Sequence, residues 1–183
     1  MTHNFNSGNG VGEIDVLVAD AARGDYHALE RLYELMRKDV FAFAYSMLGH
    51  SDKAEDVVAE VFVRIWQRSS FTPGRAGSGK TFLLKMARNV SLEELRVSGK
   101  TDFTDSLSSS YDEPSYSERD ITDGLYIDEL MKCLSGNECK IIVLYYYSQL
   151  TFKEIADVLS LPKSTVKWRH DRALDKLRAA AGM

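Results

Sequence analysis

The chain has 183 residues, 44% of them hydrophobic and 27% charged, an ordinary soluble-protein composition with enough apolar length for one or two small cores. No stretch approaches the roughly 20 uncharged apolar residues of a bilayer-spanning helix, and MTHNFNSGNGVG lacks the basic and apolar blocks of a secretion signal, so no membrane insertion and a cytoplasmic location are expected. Cys133 and Cys139 have no histidine near them and are read as two buried small residues, with no disulfide framework, metal site or cofactor expected.

The net charge of −4 argues at first against nucleic acid, since phosphate binding wants a basic surface. The average misleads. The acid is concentrated in residues 98–120, whereas the bases fall into two groups. Arg75, Lys80, Lys85, Arg88, Arg96 and Lys100 stand against Glu93 and Glu94, and Lys163, Lys167, Arg169, Arg172, Lys176 and Arg178 stand against Asp171 and Asp175, each group a net +4.

In chain order, residues 1–12 are rich in Asn, Gly and Ser and are expected to be disordered. The first clear helical stripe is Leu29, Leu32, Tyr33, Met36, Val40, Phe43, Met47 and Leu48, behind Gly24 as a helix stop and Asp25 as an N-cap. A second stripe, Val57, Val58, Val61, Phe62, Ile65 and Trp66, follows Asp52 and Glu55, which have capping-box spacing. Phe62 is assigned to the core; Trp66 fits the core and an interface equally. The loop FTPGRAGSGK, residues 71–80, leads to a third helix expected over 81–96, with Phe82, Leu83, Met86, Ala87 and Val90 inward.

Residues 98–120 hold seven serines, six acids and few aliphatics, too little apolar surface to offset the entropy of ordering, and are expected to be a flexible linker. Beyond it, Leu125 to Leu134 reads as a short helix. Ser135 and Glu138 form a capping box ahead of IIVLYYY, a run that propensity alone would also allow as a buried strand; the cap and the lack of a partner strand favour helix. Thr151 and Glu154 form another box, with Leu150 and Ile155 in the staple positions. Ser160-Leu161-Pro162 is a turn, and the final helix carries Val166, His170, Ala173, Leu174 and Leu177 inward. Two short helices, a tight turn and a basic second helix over 150–180 make a helix-turn-helix. Lys163, Ser164, Thr165, Lys167, Trp168, Arg169 and Arg172 are its candidate contacts to base edges and phosphates, because the basic excess coincides with the second helix. The alternative is a helical hairpin of a bundle with solvated lysines.

LTFKEIADVLSLPKSTVKWRHDRALDKLR resembles region 4 of bacterial sigma factors, and DYHALERLYELMRKDVFAFAYSMLGHSDKAEDVVAEVFVRIWQ, with FLLKMARNVSLEELR after it, resembles region 2 of the sigma-70 family's extracytoplasmic-function (ECF) group. The resemblance implies an all-α fold of two small helical domains, residues 13–97 (core polymerase docking, −10 recognition and melting) and 121–183 (−35 recognition). It implies a protein that is not an enzyme and that makes RNA polymerase promoter-specific, with core polymerase (clamp helices and flap), promoter DNA and an anti-sigma factor as partners. Asp56, Glu60, Arg64 and Gln67, on the polar side of the second helix, would then face the clamp helices. Phe71, Arg75, Lys80, Lys85, Arg88, Asn89 and Arg96 would hold the −10 element and an unstacked base by stacking, edge hydrogen bonds and phosphate neutralisation; Lys85 fits a solvated side chain about as well. The sequence departs from the family at Phe82, where a Trp is usual, at Ser160 for the turn glycine, at Pro162 for a serine cap, and at His170 for an inward Leu. His170 is read as a satisfied core residue.

Two other readings stand beside this one. A stand-alone helix-turn-helix regulator would use the first domain to sense or dimerise, though it has no need of a second basic cluster beside a glycine-rich loop. Gly74 to Thr81, GRAGSGKT, also matches a P-loop. That loop cradles phosphates only between a buried parallel strand and a helix, and the segment before it has helical periodicity.

Overall fold

The computed structural model describes residues 12–68, 71, 78–97, 128–130 and 132–180. All regular structure among them is helical, as expected. Residues 1–11 of the N-terminus expected to be disordered, the linker, Arg75, and the start of the short helix expected from Leu125 lie outside the described residues, whereas Gly12 is ordered as the cap of the first helix.

Helix α1, Glu13–Ala21, was not anticipated from the sequence. It starts at Gly12, whose N–H donates to Asp15 Oδ2 at 2.8 Å, and ends in a turn where Gly24 takes φ +92°, a conformation that costs a glycine little. Asp25 caps α2, Tyr26–Leu48, by accepting from the N–H groups of His27 and Ala28. The chain leaves α2 through Gly49 at φ 69°. Helix α3, Ser51–Trp66, follows directly. Its N-cap is His50, with no side-chain cap bond, so the expected capping box at Asp52 and Glu55 does not form: Asp52 is already in the first turn, and Glu55 pairs with Arg37 of α2 at 3.2 Å. Helix α4, Gly79–Val97, begins where Ser78 Oγ accepts from the Thr81 N–H at 3.2 Å. Around α2 these helices bury Leu32, Met36, Phe43, Tyr45, Ile65, Leu83 and Leu84 almost completely, each such side chain contributing about 1.5–3 kcal/mol of apolar burial.

Residues 128–130 and 132–133 are helical. Helix α5, Gly136–Ile142, is held by the expected box, with the Ser135 N–H donating to Glu138 at 2.8 Å. IIVLYYY is helical, but it widens: Val143–Tyr147 form a π-helical turn, closed by Ser148 N–H to the Val143 carbonyl at 3.1 Å. Ile141, Ile142, Val143 and Leu144 are buried on all sides, which lets a β-branched run remain helical. Thr151 caps α6, Phe152–Leu159, with Glu154 in the reciprocal position. Helix α7, Lys163–Ala180, follows the turn and packs on α5 and α6.

The second domain rests on the first through α6 against α4 and through α5 and the π turn against α2. Tyr45 of α2, itself buried, donates to Asp128 Oδ1 at 2.6 Å across this junction. The two sets of helices therefore share one contiguous apolar core.

Candidate nucleic-acid interface

The basic face of the helix-turn-helix is built from behind. Ile155, Ala156, Val158 and Leu159 of α6 and Val166, His170 and Ala173 of α7 are buried, turning the opposite side of α7 to solvent. Between the helices Ser160 adopts φ 56°, ψ 43° and closes α6 by donating its N–H to the Ala156 carbonyl. This is the left-handed conformation that a glycine would take more cheaply, so the departure at this position carries a strain of about 1 kcal/mol. Pro162 stands just outside α7, where its missing N–H costs nothing, and its carbonyl accepts from Val166 at 3.1 Å.

Lys163, Ser164, Lys167, Trp168 and Arg172 are all exposed on one end and face of α7, and Thr165 is half-buried among them. The Trp168 ring is 58% exposed with the Arg172 guanidinium 5.3 Å from its centroid, so an aromatic surface and a planar cation are presented together. Arg172 Nε also lies 3.5 Å from Glu138 Oε1, and Lys176 donates to Glu138 Oε2 at 2.6 Å. Burial of Glu138 opposes ionisation, but hydrogen bonds from Lys176 and Ser135 outweigh it and hold its carboxyl below the usual range. This buried acid anchors the outward helix and offsets part of its positive charge. Arg169, expected in the same row, is half-buried with one terminal nitrogen enclosed, so it points less outward than its neighbours.

His170 is buried, as expected of a core residue, inside a ring of aromatics: Tyr145 at 4.7 Å, Phe152 at 5.0 Å and Tyr146 at 5.8 Å between centroids. Its Nδ1 meets Asp171 Oδ1 at 3.0 Å, while Nε2 has no hydrogen-bond partner, so the expected satisfaction is half met. The π turn supplies both tyrosines. Of the cysteines, Cys139 is buried, its thiol pushed up to about 12 by desolvation, whereas Cys133 is exposed, contrary to expectation, the burial in its helical stretch falling to Leu130 and Leu134 instead.

The second basic group is more enclosed. On α4, Asn89 and Arg96 are exposed and Lys85 is half-buried, all along one side of the helix. Arg88, adjacent to that stripe, is half-buried, and desolvation lowers its pKa. Lys80 is not a free cation at the loop: its Nζ pairs with Asp39 of α2 at 2.9 Å, both groups largely covered. Phe71 packs on Phe82 with centroids 4.8 Å apart, and Arg68, which the sequence reading left out, places its guanidinium 4.9 Å from the Phe82 centroid. Its position three residues before Phe71 was the available signal.

Of the P-loop match, only residues 78–81 are described, and these are engaged in packing. Its preceding element, α3, is a helix and not a strand. The Gly79 N–H donates to Asp15 Oδ1, and a Cβ on Gly79 would come within 3.0 Å of the Ile14 carbonyl oxygen, so the glycine is there for close approach to α1. Thr81 is buried, and its hydroxyl meets the Ser78 hydroxyl at 2.9 Å.

Asp56 of α3 and Gln67, the C-cap just past its end, are exposed. Glu60 and Arg64 are tied up: Arg64 Nε donates to Glu60 at 2.6 Å and its two terminal nitrogens to Glu93 of α4 at 2.7 and 3.3 Å, which raises the arginine's pKa and lowers that of Glu93. Phe62 is core, edge-on to Tyr33 at 4.9 Å, while Trp66 is 41% exposed.

Residues 32–101 match the family described as Sigma-70 region 2, and residues 130–179 match Sigma-70, region 4. Over 88% of this chain and 92% of the relative, the sequence is 24% identical to the ECF RNA polymerase sigma factor SigW of Bacillus subtilis. It is likewise 24% identical to the ECF RNA polymerase sigma factor SigK of Mycobacterium tuberculosis, across 91% of this chain and 92% of that one. Among solved structures, CnrH in complex with the cytosolic domain of CnrY is similar with a TM-score of 0.64 at 22% identity, covering 93% of this chain and 98% of that one. The sigma factor RpoE in complex with the anti-sigma factor NepR from Bartonella quintana gives 0.62 at 24% identity, covering 84% and 96%. These two likenesses concern the fold. The two region matches, in chain order over an all-helical fold, and relatives aligned along nearly their whole length show that the chain belongs to the ECF group of the sigma-70 family, factors that direct promoter-specific initiation by RNA polymerase.

Proposed function

We propose a division of labour for this chain: α3 docks core polymerase, the segment around Phe71 with α4 reads and opens the −10 element, and α7 reads the −35 element. The observation that carries it is the exposed row of Lys163, Ser164, Lys167, Trp168 and Arg172 on a helix whose opposite face is buried. Such a surface lets the N-terminal end of α7 enter a major groove while lysines meet phosphates.

On α4 the accessible stripe of Lys85, Asn89 and Arg96 supports contacts to a single strand, with the rings of Phe71 and Phe82 supplying an apolar floor against which an unstacked base can rest. Lys80, because it neutralises Asp39, acts in positioning the start of α4 and not as a phosphate contact. Arg64 likewise braces α3 against α4, leaving Asp56 and Gln67 as the outward polar contacts to the polymerase clamp, with Glu60 beside them. The factor acts in the cytoplasm and performs no catalysis of its own: its contribution is binding energy placed at two DNA elements, which linkage on one chain makes effective even when each is weak. An anti-sigma factor that covers the polymerase-docking surface is the expected regulator, since two of the similar solved structures are complexes, one with the cytosolic domain of CnrY and one with the anti-sigma factor NepR.

Run-off transcription with core polymerase tests the reading. Promoter-dependent products are expected only when the protein is added. Retained operator binding without any such product would favour a stand-alone regulator.

A further inference from the structure

Helix α1 has no part in the division of labour above, yet one of its side chains reaches the helix assigned to the −10 element. The Asp15 carboxylate serves two helix starts at once: Oδ2 accepts from the Gly12 N–H at the cap of α1, and Oδ1 accepts from the N–H of Gly79, the first residue of α4. The leading N–H groups of a helix have no partner inside it, and the positive end of the helix dipole favours a carboxylate there. Gly79 makes the contact possible. A Cβ on it would stand 3.0 Å from the Ile14 carbonyl oxygen and 3.1 Å from Asp15 Cα, both backbone atoms. Two more contacts hold the same turn: Ser78 Oγ accepts from the Thr81 N–H at 3.2 Å, and Lys80 pairs with Asp39 of α2 at 2.9 Å. The next residue is Phe82, with the Phe71 ring 4.8 Å and the Arg68 guanidinium 4.9 Å from its centroid. Lys85 and Asn89 follow it three and seven residues on, at helical spacing, so the accessible stripe of α4 begins in the turn that Asp15 fixes.

We infer that Asp15 is a positioning residue for promoter opening. By tying the first turn of α4 to α1, it holds the Phe71–Phe82 floor and the Lys85–Asn89 stripe in the register that receives an unstacked base. The inference rests on the reading of Phe71 and α4 as the −10 surface, and it gives α1 a task in that reading. An extruded base loses its stacking and pairing in the duplex and regains stacking and edge hydrogen bonds only against a surface already in place. A turn free to fray would have to be ordered at that moment, which weakens capture. The first turn of α4 is open to this hazard because it starts on Gly79, and glycine is the residue that loses most freedom on ordering. Asp15 also occupies the end of α4 where a DNA phosphate would otherwise bind, which leaves the strand to side chains along the helix.

The test compares run-off yield from two forms of a promoter that the full-length protein uses with core polymerase: the intact duplex, and the same promoter mismatched in advance across the −10 element. Asp15→Ala is expected to lower the yield on the duplex by about fivefold, the equivalent of one lost hydrogen bond. On the pre-opened promoter, where unpairing has already occurred, it should stay within about twofold of wild type, too small a difference to indicate a lost contact. Gly79→Ala forces α1 and α4 apart and should act in the same way, and the two changes together should add little to either, since both break one contact. Asp15→Asn keeps an acceptor oxygen for the Gly79 N–H and should restore most of the yield. Asn89→Ala, on the stripe itself, is the reference for the −10 reading. If it lowers the duplex yield while Asp15→Ala and Gly79→Ala leave it unchanged, the positioning role is wrong although the −10 surface is assigned correctly. If none of the three lowers it, the −10 reading falls and the inference with it. Equal losses on both promoter forms, in step with a lower melting temperature, would make Asp15 a cap for stability alone and overturn the inference.

Discussion

The two basic surfaces of this protein carry similar charge but are held differently. Helix α7 is secured from one side by α5 and α6 and leaves its cations in solvent, whereas α4 is packed by α1, α2, α3 and α6 and has only a stripe of its surface free. The cation-bearing groups differ accordingly. On α7 only Arg169 of the candidate row is substantially enclosed, with Arg172 touching Glu138 at the edge; on α4 Lys80 is neutralised by Asp39 and Arg88 is partly desolvated. A duplex-reading surface can be finished in the free protein, because the major groove is already present in DNA. A surface that takes up an unpaired strand has a partner that exists only after melting, and the second domain packs on α4 here.

The sharpest way to break this comparison is to remove one surface at a time. Arg172→Ala is expected to lower −35-dependent transcription by about tenfold, the usual cost of an arginine contact to DNA, without changing affinity for core polymerase. Asp56→Arg is expected to do the reverse. Equal losses of both properties from either variant would contradict separate surfaces.

The anchoring of α7 comes next. Glu138→Gln removes the charge that Lys176 and Arg172 meet and is expected to destabilise the second domain by about 2 kcal/mol, read by denaturant unfolding. The pH dependence has a definite sign. Because the folded carboxyl titrates below its unfolded value, the stabilisation is complete above the ordinary glutamate range and is lost as pH falls through the depressed folded pKa. The Gln variant should therefore lose less stability than wild type between neutral and acidic pH.

The junction between the domains is smaller in effect. Tyr45→Phe deletes the hydrogen bond to Asp128 while keeping the ring, and should cost about 1 kcal/mol. If the second domain screens α4, amide exchange in α4 should rise with this variant while α7 stays unchanged; uniform protection would mean that the junction does not govern access to α4. Smallest is Ser160→Gly, expected to stabilise by about 0.5–1 kcal/mol by relieving the left-handed serine at the turn. It should leave the exposed row on α7 intact and transcription unaffected.

Much of this architecture was legible because it is local. The α2 cap at Asp25, the boxes at Ser135 and Thr151 and the inward stripe of α7 all depend on neighbours a few residues apart, and all form as read. The failures share the opposite property. Helix α1 is nine residues long, and its Asp15 finds its partner at Gly79, far along the chain. The spacing of Asp52 and Glu55 is right for a box, but Gly49 and His50 start α3 earlier, which moves Asp52 inside it. Nothing in IIVLYYY distinguishes an α turn from a π turn before Phe152 and His170 gather around Tyr145. At the candidate site, counting cations located the two basic groups but gave no sign that Asp39 would neutralise Lys80 or that Glu93 would hold Arg64, because those partners come from other helices.

The division of the two DNA surfaces is tested most directly by photo-crosslinking. A crosslinking side chain is placed in full-length protein at Trp168 or at Asn89, both exposed, and the protein is assembled with core polymerase on promoter DNA. The account predicts that position 168 marks duplex at the −35 element and position 89 marks the unpaired strand at the −10 element. Crosslinks from both positions to the same element, or from position 89 to polymerase alone, would contradict it.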